Sequence, residues 1–252
     1  MTPSASARPG AERLRALSFF FPAYNEEENI EAVVAEALET LPRFADEFEV
    51  VIVDDGSRDR TPELADHLAA ADPRVRVIHH RPNRGYGGAV RSGLESARFP
   101  YVFFTDGDRQ FRIADLGLLL REIDGTDAVV GYRAKRMDPT RRLVIAWVYK
   151  QVIGALFGGG FRDVDCAYKL FRTEIFQRAP LSDVRSNGAF FSAELLLRLR
   201  AAGLRVRQVS VPHHPRTAGL AAGAAPKVVL RTLRDMALLR LRLWRRRRGL
   251  PA

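Results

Sequence analysis

Apolar runs of strand length alternate with helically spaced segments over the first half of the chain. Strands are predicted at 17–22, 49–55, 74–80, 101–106 and 127–133. Helices are predicted between them, at 26–41, from Thr61 onward, at 87–97 and again before the fifth strand. Repeated strand–helix units are joined by right-handed crossovers, so the pattern predicts an α/β fold with a mostly parallel sheet flanked by helices.

The pattern becomes mixed beyond Gly154, where a glycine-rich joint lies at 158–160. A helix is predicted at 189–202, a strand at 204–211 and a final helix from about Pro226. No internal repeat or long linker divides the body of the chain. We therefore expect a flexible arm over 1–16, one domain over 17–215, and a loop and helix over 216–252.

Polar residues gather at the points where the predicted strands end. The clusters are Pro22-Ala23-Tyr24-Asn25-Glu26, Asp54-Asp55-Gly56-Ser57, Asn83-Arg84-Gly85, Asp106-Gly107-Asp108 and Gly131-Tyr132-Arg133. Ligands of open parallel sheets bind beside the carboxyl ends of the strands. The sequence therefore predicts a ligand pocket at this edge of the sheet.

Two acids flank a single glycine at the end of the fourth strand. In an extended chain, residues two apart face the same side, so Asp106 and Asp108 would point together and Gln110 would follow them. Converging carboxylates suit a hard divalent cation such as Mg²⁺ or Mn²⁺, and Gln110 offers a neutral oxygen. A solvated acidic turn is the alternative for this cluster.

Two further clusters suit a nucleotide. Asp54 and Asp55 end the second strand, where an acid can accept hydrogen bonds from a ribose or base, although a simple Asp-Gly turn is the alternative. The segment around Gly85 is rich in glycine and leads into a helix, which allows a close backbone approach to a nucleotide. Val90 stands where the dinucleotide fingerprint requires its last glycine, so a nicotinamide site is not expected.

The formal net charge of +10 lies mostly in the last part of the chain. Nine Lys/Arg and one acid between Lys227 and Ala252 carry +8, which leaves +2 for the rest. A nucleic-acid-binding protein more often spreads positive charge over a folded face, so we expect no nucleic-acid partner. Leucines and a tryptophan among the arginines predict a basic amphipathic helix on an anionic membrane surface, with a solvated charged tail as the alternative.

Other features limit the class of protein. The single cysteine, Cys166, excludes an intrachain disulfide. No apolar run is long enough for a transmembrane helix, and residues 1–16 lack the apolar core of a signal peptide. A P-loop motif is absent, which argues against a P-loop NTPase.

Taken together, these segments resemble the family 2 glycosyltransferases, which have the Rossmann-like GT-A fold. The likeness is greatest to the polyprenyl-phosphate and dolichyl-phosphate mannose or glucose synthases. It covers roughly 17–215 and rests on FPAYNEEENI, VVIVDDGSRDRT, NRGYGGAVRSG, FFTDGDRQF, VVGYRAKR and DVDCAYKLFR, which occur in the family's order and spacing.

The resemblance implies a set of roles at the strand ends. It implies nucleotide contacts for Pro22, Ala23, Tyr24, Glu26, Asp54 and Asp106. It implies that Asp108 and Gln110 bind the metal on the donor diphosphate. It also implies that Arg133 and Arg141 hold an acceptor phosphate, with Asp165 and Lys169 nearby, and that the sugar's anomeric centre is inverted. Asp108, Asp165 and Arg133 are thus the expected catalytic residues.

Three departures from the family pattern concern the acceptor side and the membrane. Cys166-Ala167 replaces the usual serine-glycine pair, and Ile145 stands where a small polar group is expected. The C-terminal transmembrane helices of some relatives are absent from this sequence, as is the QxxRW signature of processive synthases, so polymer extension is not expected.

The leading hypothesis is a cytoplasmic enzyme, peripheral at the inner face of the membrane. It would transfer one hexose from a GDP-mannose-type or UDP-glucose-type donor to a polyprenyl phosphate. Two alternatives stay open: the same donor chemistry with a hydroxyl acceptor, for which Asp165 is the candidate base, and a non-catalytic nucleotide-sugar-binding module at the membrane.

Overall fold

The structure is a computed structural model that describes residues 13–133, 140–216 and 226–247. Its strands are β1 (Leu14–Ala23), β2 (Ala45–Asp54), β3 (Val75–His79), β4 (Tyr101–Thr105), β5 (Ala128–Arg133), β6 (Tyr168–Arg172) and β7 (Val206–Val211). Its α-helices are α1 (Ile30–Thr40), α2 (Thr61–Ala71), α3 (Tyr86–Ser96), α4 (Leu116–Leu120), α5 (Thr140–Phe157), α6 (Ile175–Arg178), α7 (Phe191–Ala201) and α8 (Pro226–Arg247). Single 3₁₀ turns lie at Leu41–Arg43, Ile113–Asp115 and Leu181–Asp183.

The strands form one sheet in the order β3-β2-β1-β4-β6-β5-β7. Within the described ranges β6 alone runs antiparallel to its neighbours, and every other pairing is parallel. The chain proceeds outward from β1 to β3 and then returns to place β4 on the other side of β1. The order therefore reverses between β1 and β4, and ligands of such sheets bind at that reversal.

Two apolar layers cover the two faces of the sheet. Successive residues Phe19, Phe20 and Phe21 of β1 alternate between the layers, as the period of a strand requires. One layer contains residues of α1, α2 and α4, and the other contains residues of α3, α5, α7 and α8. Phe20, Phe104 and Phe171 stack across three neighbouring strands, with ring centroids 5.1 and 6.3 Å apart. The central part of the sheet is thus buried on both sides, which explains why β1, β2 and β4 are mostly apolar there.

The approach of α3 to the sheet depends on a missing side chain. A Cβ on Gly93 would lie 2.1 Å from the Phe20 ring, so the helix can reach this distance only with glycine there. This contact fixes the helix whose first residue, Tyr86, lies at the carboxyl edge of the sheet.

The structure departs from the sequence-based expectations in several places, including the starts of β2 and α1. β1 begins at Leu14 rather than at Leu17, so residues 14–16 belong to the sheet and not to an arm. Helix α5 lies mostly between the fifth predicted strand and the region of mixed pattern, strand β6 lies within that region, and neither was predicted. The strand predicted at 204–211 is shorter, and the final helix begins at Pro226 as predicted.

Candidate active site

The residues after β4 form a turn rather than an extension of the strand. β4 ends at Thr105, and Arg109 adopts a left-handed conformation with φ of 60°. The backbone N–H of Gln110 donates to Oδ1 of Asp108 at 3.1 Å, and the Gln110 side chain donates from Nε2 to the carbonyl of His214 at 3.2 Å. The prediction that Asp106, Asp108 and Gln110 align through strand periodicity is therefore wrong, although the turn keeps all three together.

Asp106 lies directly beyond the end of β4, with one carboxylate oxygen, Oδ1, buried and without a hydrogen-bond partner among the described residues. Burial and the neighbouring Asp108 raise the pKa of Asp106 to about 7. A hydrogen bond with the Tyr86 hydroxyl and the charges of Lys169 and Arg133 lower the pKa but do not outweigh these causes. The protein therefore does not fully compensate the negative charge of the ionised Asp106 carboxylate.

Asp108 is 5% exposed and forms an ion pair with Arg216, which lies 108 positions later in the chain. Nη2 of Arg216 lies 2.5 Å from Oδ2 of Asp108, and Nη1 of Arg216 lies 4.0 Å from Oε1 of Glu26. Burial raises the pKa of Glu26, and the charge of Asp108 adds to the rise. Arg216 is not among the residues that the sequence pattern or the family resemblance indicated.

The acids at the end of β2 are satisfied by the protein itself. Asp54 accepts hydrogen bonds from the Ser57 backbone at 2.9 Å, His79 Nδ1 at 2.8 Å and Arg81 Nη1 at 3.2 Å. Burial raises the pKa of Asp54, but these hydrogen bonds outweigh it and hold the pKa below its usual value. Both predicted ligand oxygens of Asp54 thus already have partners.

Asp55 lies 2.7 Å from Nδ1 of His80, and Nε2 of the same ring lies 2.9 Å from the Ser92 hydroxyl. The Asp55 carboxylate also accepts a hydrogen bond from the Arg84 backbone at 2.8 Å. Since Asp55 and His80 are almost fully buried, this network fastens the loop after β3 to the end of β2. The carboxylate predicted to bind a nucleotide therefore faces the protein interior.

The other predicted nucleotide contacts lie where β1 ends. Ala23 is buried, Pro22 is half-buried and Tyr24 is 47% exposed, so Tyr24 offers a large free surface beside the site. The backbone N–H of Glu26 donates to the Thr61 hydroxyl at 2.8 Å, while the Glu26 side chain accepts from Asn29 at 2.7 Å. The loop after β1 is thereby tied to the start of α2.

Gly85 immediately precedes α3 and has a positive φ of 82°, which favours glycine. A Cβ at this position would also lie 2.5 Å from the carbonyl oxygen of Asn187. This turn presents Tyr86, whose hydroxyl meets Asp106; burial and the nearby acids raise the Tyr86 pKa far above 10. Sequence reasoning singled out the glycine but missed the tyrosine that it positions.

Arg133 ends β5 and forms a bidentate pair with Asp163, with nitrogen–oxygen distances of 2.6 and 2.8 Å. Burial disfavours its charge, but Asp163 outweighs burial and raises the Arg133 pKa. Arg133 and Asp165 both line a pocket of about 170 Å³ beside α5. The side chain of Arg141, the other predicted phosphate ligand, lies outside the described residues.

Lys169 is completely buried on β6, beneath the acids of the site. Its Nζ donates to the carbonyl of Cys166, and burial lowers its pKa although Asp106, Asp163 and Asp165 act in the opposite direction. Burial also raises the pKa of the Cys166 thiol to about 12, which makes this thiol a poor nucleophile. Lys169 therefore acts on the acids through its charge, and it does not line the pocket.

The residues of the β4 turn fit a divalent metal on three observations. Asp106 has an unpartnered buried oxygen, Asp108 is already paired with a cation, and the Gln110 side chain uses its nitrogen for His214, which leaves its oxygen as the donor atom. Within the described ranges no group of three or more His, Cys, Asp or Glu side chains could hold a metal. A metal here would therefore need further oxygens from its ligand or from water.

Helices α5 and α8 enclose an open apolar groove of about 530 Å³, lined by residues that include Val152, Leu156, Met236 and Trp244. On α8, Leu230 is 68% exposed and Trp244 is 43% exposed, between basic residues. A search of the described helices for one of sufficient length and apolarity to cross a membrane gave no candidate.

Comparison with protein-family models matches residues 18–179 to glycosyl transferase family 2. The chain is 35% identical over 224 residues to glycosyltransferase AglD of Haloferax volcanii, covering 85% of this chain but only 35% of that protein. It is 31% identical over 226 residues to polyprenol monophosphomannose synthase of Mycolicibacterium smegmatis, covering 86% of this chain and 82% of that protein. The chain thus spans about a third of one curated relative and most of the other.

Among solved structures, the fold is similar to glucosyl-3-phosphoglycerate synthase from Mycobacterium tuberculosis in complex with Mn²⁺, uridine diphosphate and glucosyl-3-phosphoglycerate. The TM-score is 0.63 at 20% identity, over 94% of this chain and 81% of that one. At this identity the likeness establishes a shared fold of the GT-A type.

Proposed function

Because the chain belongs to glycosyl transferase family 2, we propose that it moves one hexose from a nucleotide-sugar of the GDP-mannose or UDP-glucose type to a polyprenyl phosphate. The transfer inverts the anomeric centre of the sugar and takes place at a membrane surface. The observation that carries the proposal is the undercompensated carboxylate of Asp106 next to Asp108, at the sheet reversal beside a pocket lined by Arg133.

The donor occupies the edge between β1 and β4 in this proposal. Tyr24 supplies an exposed aromatic surface for the nucleotide, and Pro22, Ala23 and Glu26 form the adjoining wall. Asp54 and Asp55 shape the wall from within, since their carboxylates hold the loops after β2 and β3.

The β4 turn holds the diphosphate end of the donor. A divalent metal, Mn²⁺ or Mg²⁺, bound by Asp106, Asp108 and Gln110 would neutralise charge on the departing nucleoside diphosphate. Asp106 binds it in ionised form, which the Tyr86 hydroxyl and the buried ammonium of Lys169 favour. The solved relative that contains Mn²⁺ and uridine diphosphate supports this assignment by analogy of fold.

The acceptor phosphate enters the pocket beside α5. Arg133 lies at its wall with Asp163 fixing its guanidinium, so the arginine orients an oxyanion without having to be ordered first. A phosphate monoester is already anionic near neutral pH and needs orientation rather than a general base. Asp165, at the same pocket, would act as base only for a hydroxyl acceptor.

Product analysis tests the proposed function. The protein would be incubated with Mn²⁺ or Mg²⁺, GDP- and UDP-sugars and citronellyl phosphate, and the lipid products analysed by mass spectrometry. We expect a glycosyl phosphate lipid from one donor and none with Asp108→Ala. Asp46→Ala, which removes an exposed acid at the opposite end of β2, is the matched control and should stay active. Transfer only to hydroxyl compounds would replace the proposed acceptor by the alternative one.

In this proposal helix α8 contacts the membrane, and the enzyme lies at the cytoplasmic face of that membrane. Exposed Arg234 and Arg245 should each contribute about 1 kcal/mol of attraction to an anionic surface. Replacing both by serine should weaken binding to vesicles containing 30% phosphatidylserine by about thirtyfold in a sedimentation assay. Arg43→Ser with Arg121→Ser, on the opposite face of the sheet, removes the same charge and should leave binding unchanged. Equal binding by all three proteins would overturn the assignment.

A further inference from the structure

Tyr149 of α5 lines the pocket beside Arg133 together with Lys150 and Asp165. Its ring is half-buried, but its hydroxyl oxygen is inaccessible to solvent and has no hydrogen-bond partner among the described residues. A buried hydroxyl without a partner costs free energy, and such groups in native proteins are uncommon. We therefore expect a bound ligand to supply the missing hydrogen-bond partner of this hydroxyl.

The position of Tyr149 on α5 directs its side chain into the pocket region. Long side chains on a helix point toward its N-terminus and cover the residue four positions earlier. For Tyr149 that residue is Ile145, which has no polar atom to offer. The tyrosine hydroxyl is thus a polar group that α5 brings to the pocket, in addition to the ammonium group of Lys150.

The pocket around the hydroxyl is lined by three cations and two acids, which leaves a small excess of positive charge for an anionic ligand. Arg133 is neutralised by Asp163, while Lys150 forms no ion pair with any residue the structure describes. Burial raises the pKa of Tyr149 far above 10, and the charge of Asp165 adds to the rise. The hydroxyl therefore remains protonated, and it can donate a hydrogen bond to an oxyanion but cannot itself carry negative charge.

We propose that Tyr149 binds the acceptor by donating its hydroxyl hydrogen to a phosphate oxygen in this pocket. This inference rests on the proposed function for the identity of the acceptor as a phosphate monoester. It adds a residue of α5 to the acceptor site, at a position to which neither the sequence pattern nor the family resemblance assigned a role.

Steady-state kinetics of Tyr149→Phe test the proposal. We expect the KM for citronellyl phosphate to rise about tenfold, because a hydrogen bond to a charged group is lost, while the KM for the nucleotide-sugar stays unchanged. The melting temperature should stay the same or rise, since the variant removes an unpartnered buried hydroxyl.

Tyr101→Phe is the matched control. Its hydroxyl pairs with Arg172 at 2.6 Å, at the end of β4 away from the site, so this variant should lose stability and keep its acceptor KM. A lower melting temperature and an unchanged acceptor KM for Tyr149→Phe would show that the hydroxyl is structural and would overturn the proposal.

A binding measurement separates this inference from the proposed reaction. The chain has two tryptophans, and Trp147 lines the pocket, so Trp244→Phe leaves Trp147 as the single fluorescent reporter. In that background, Tyr149→Phe should weaken binding of citronellyl phosphate about tenfold and leave binding of citronellol unchanged. If Tyr149→Phe weakens binding of inorganic phosphate by the same factor, Tyr149 recognises the phosphate group alone and not the lipid chain.

The two failures are distinguishable. Absence of turnover by the unmodified protein with every lipid phosphate contradicts the proposed function, whatever Tyr149 does. Equal affinities of the two single-tryptophan proteins for citronellyl phosphate, or no binding by either, contradict the role of Tyr149 even if turnover is observed.

Discussion

Two pairs of neighbouring acids lie at the same edge of the sheet in opposite surroundings. The carboxylates of Asp54 and Asp55 accept hydrogen bonds from backbone and side-chain groups, and the pKa of Asp54 is lowered. Asp106 keeps an unpartnered oxygen and a raised pKa, and Asp108 is paired with an arginine from 108 positions away. The sequence presents both pairs as ligand groups, but the protein satisfies both acids of the first pair and leaves Asp106 of the second pair incompletely compensated.

The difference separates groups that hold the fold from groups that bind ligands. A buried carboxylate with protein partners contributes to stability, and its removal leaves those partners unsatisfied. A buried carboxylate that lacks compensation destabilises the free protein and has a use only when a cation is bound. The four acids can therefore be tested by measuring activity and stability together.

The largest expected effect is that of Asp108→Asn on activity. The carboxylate is the group best placed to bind a metal in the β4 turn, and we expect kcat/KM to fall by about 10³-fold because transition-state charge is no longer neutralised. The variant should remain folded, since Asn keeps the size of the side chain. Circular dichroism verifies folding, and a residual activity above one tenth would contradict the metal assignment.

Stability should change in opposite directions for the two pairs. Asp55→Ala breaks a buried pair with His80, and we expect a loss of about 3 kcal/mol in the free energy of unfolding. Asp106→Asn removes a carboxylate whose ionisation the fold disfavours, so the metal-free protein at pH 8 should be as stable or more stable. Urea unfolding measures both.

Adding Mn²⁺ sharpens this second prediction. The metal should raise the unfolding free energy of the parent protein and of a moderately destabilised Asp55→Ala, but not that of Asp106→Asn. Equal stabilisation of all three proteins by Mn²⁺ would remove the distinction between the pairs.

The sequence predicted the parallel part of the sheet well because each strand is a short apolar run bounded by polar clusters. Helix α5 was not predicted because it is apolar around most of its surface, so its sequence lacks the periodic apolar face of an amphipathic helix. Strand β6 was not predicted because it contains Lys169, a residue type that rarely lies buried, and because its antiparallel pairing with β4 and β5 depends on long-range contacts.

The site was predicted as a location but not as a set of contacts. The strand ends identified the correct edge, since topology alone brings them together. Which acid is compensated depends on partners such as His80 and Arg216, whose distances in sequence range from 25 to 108 positions. Tyr86 and Asp163 lie within the motifs NRGYGGAVRSG and DVDCAYKLFR but were given no role there. Only the packing of α3 and the end of β5 brings them to Asp106 and Arg133.

Arg216 provides a test of how strongly the second pair needs a cation. Its guanidinium occupies the Asp108 carboxylate in the free protein, so a metal must compete with it. Arg216→Gln should bind Mn²⁺ about tenfold more tightly in the absence of nucleotide, measured by titration calorimetry. Arg109→Gln is the control, because it also removes one positive charge, from an exposed residue of the β4 turn itself. Equal Mn²⁺ affinities for these two variants would show that only net charge matters.

The smallest expected effect concerns His79 and the pH dependence of the compensated pair. Burial lowers the pKa of His79, but its contacts with Asp54 and Asp66 outweigh burial and raise it. The charged histidine therefore stabilises the fold below its unfolded pKa of about 6.5, and this contribution is lost as pH rises through the higher folded pKa. His79→Gln should cost about 1 kcal/mol at pH 6 and less at pH 9, measured by urea unfolding. His67→Gln, at an exposed position of α2, should show no such trend. A cost for His79→Gln that is equal at both pH values would mean that the histidine serves Asp54 only as a neutral donor.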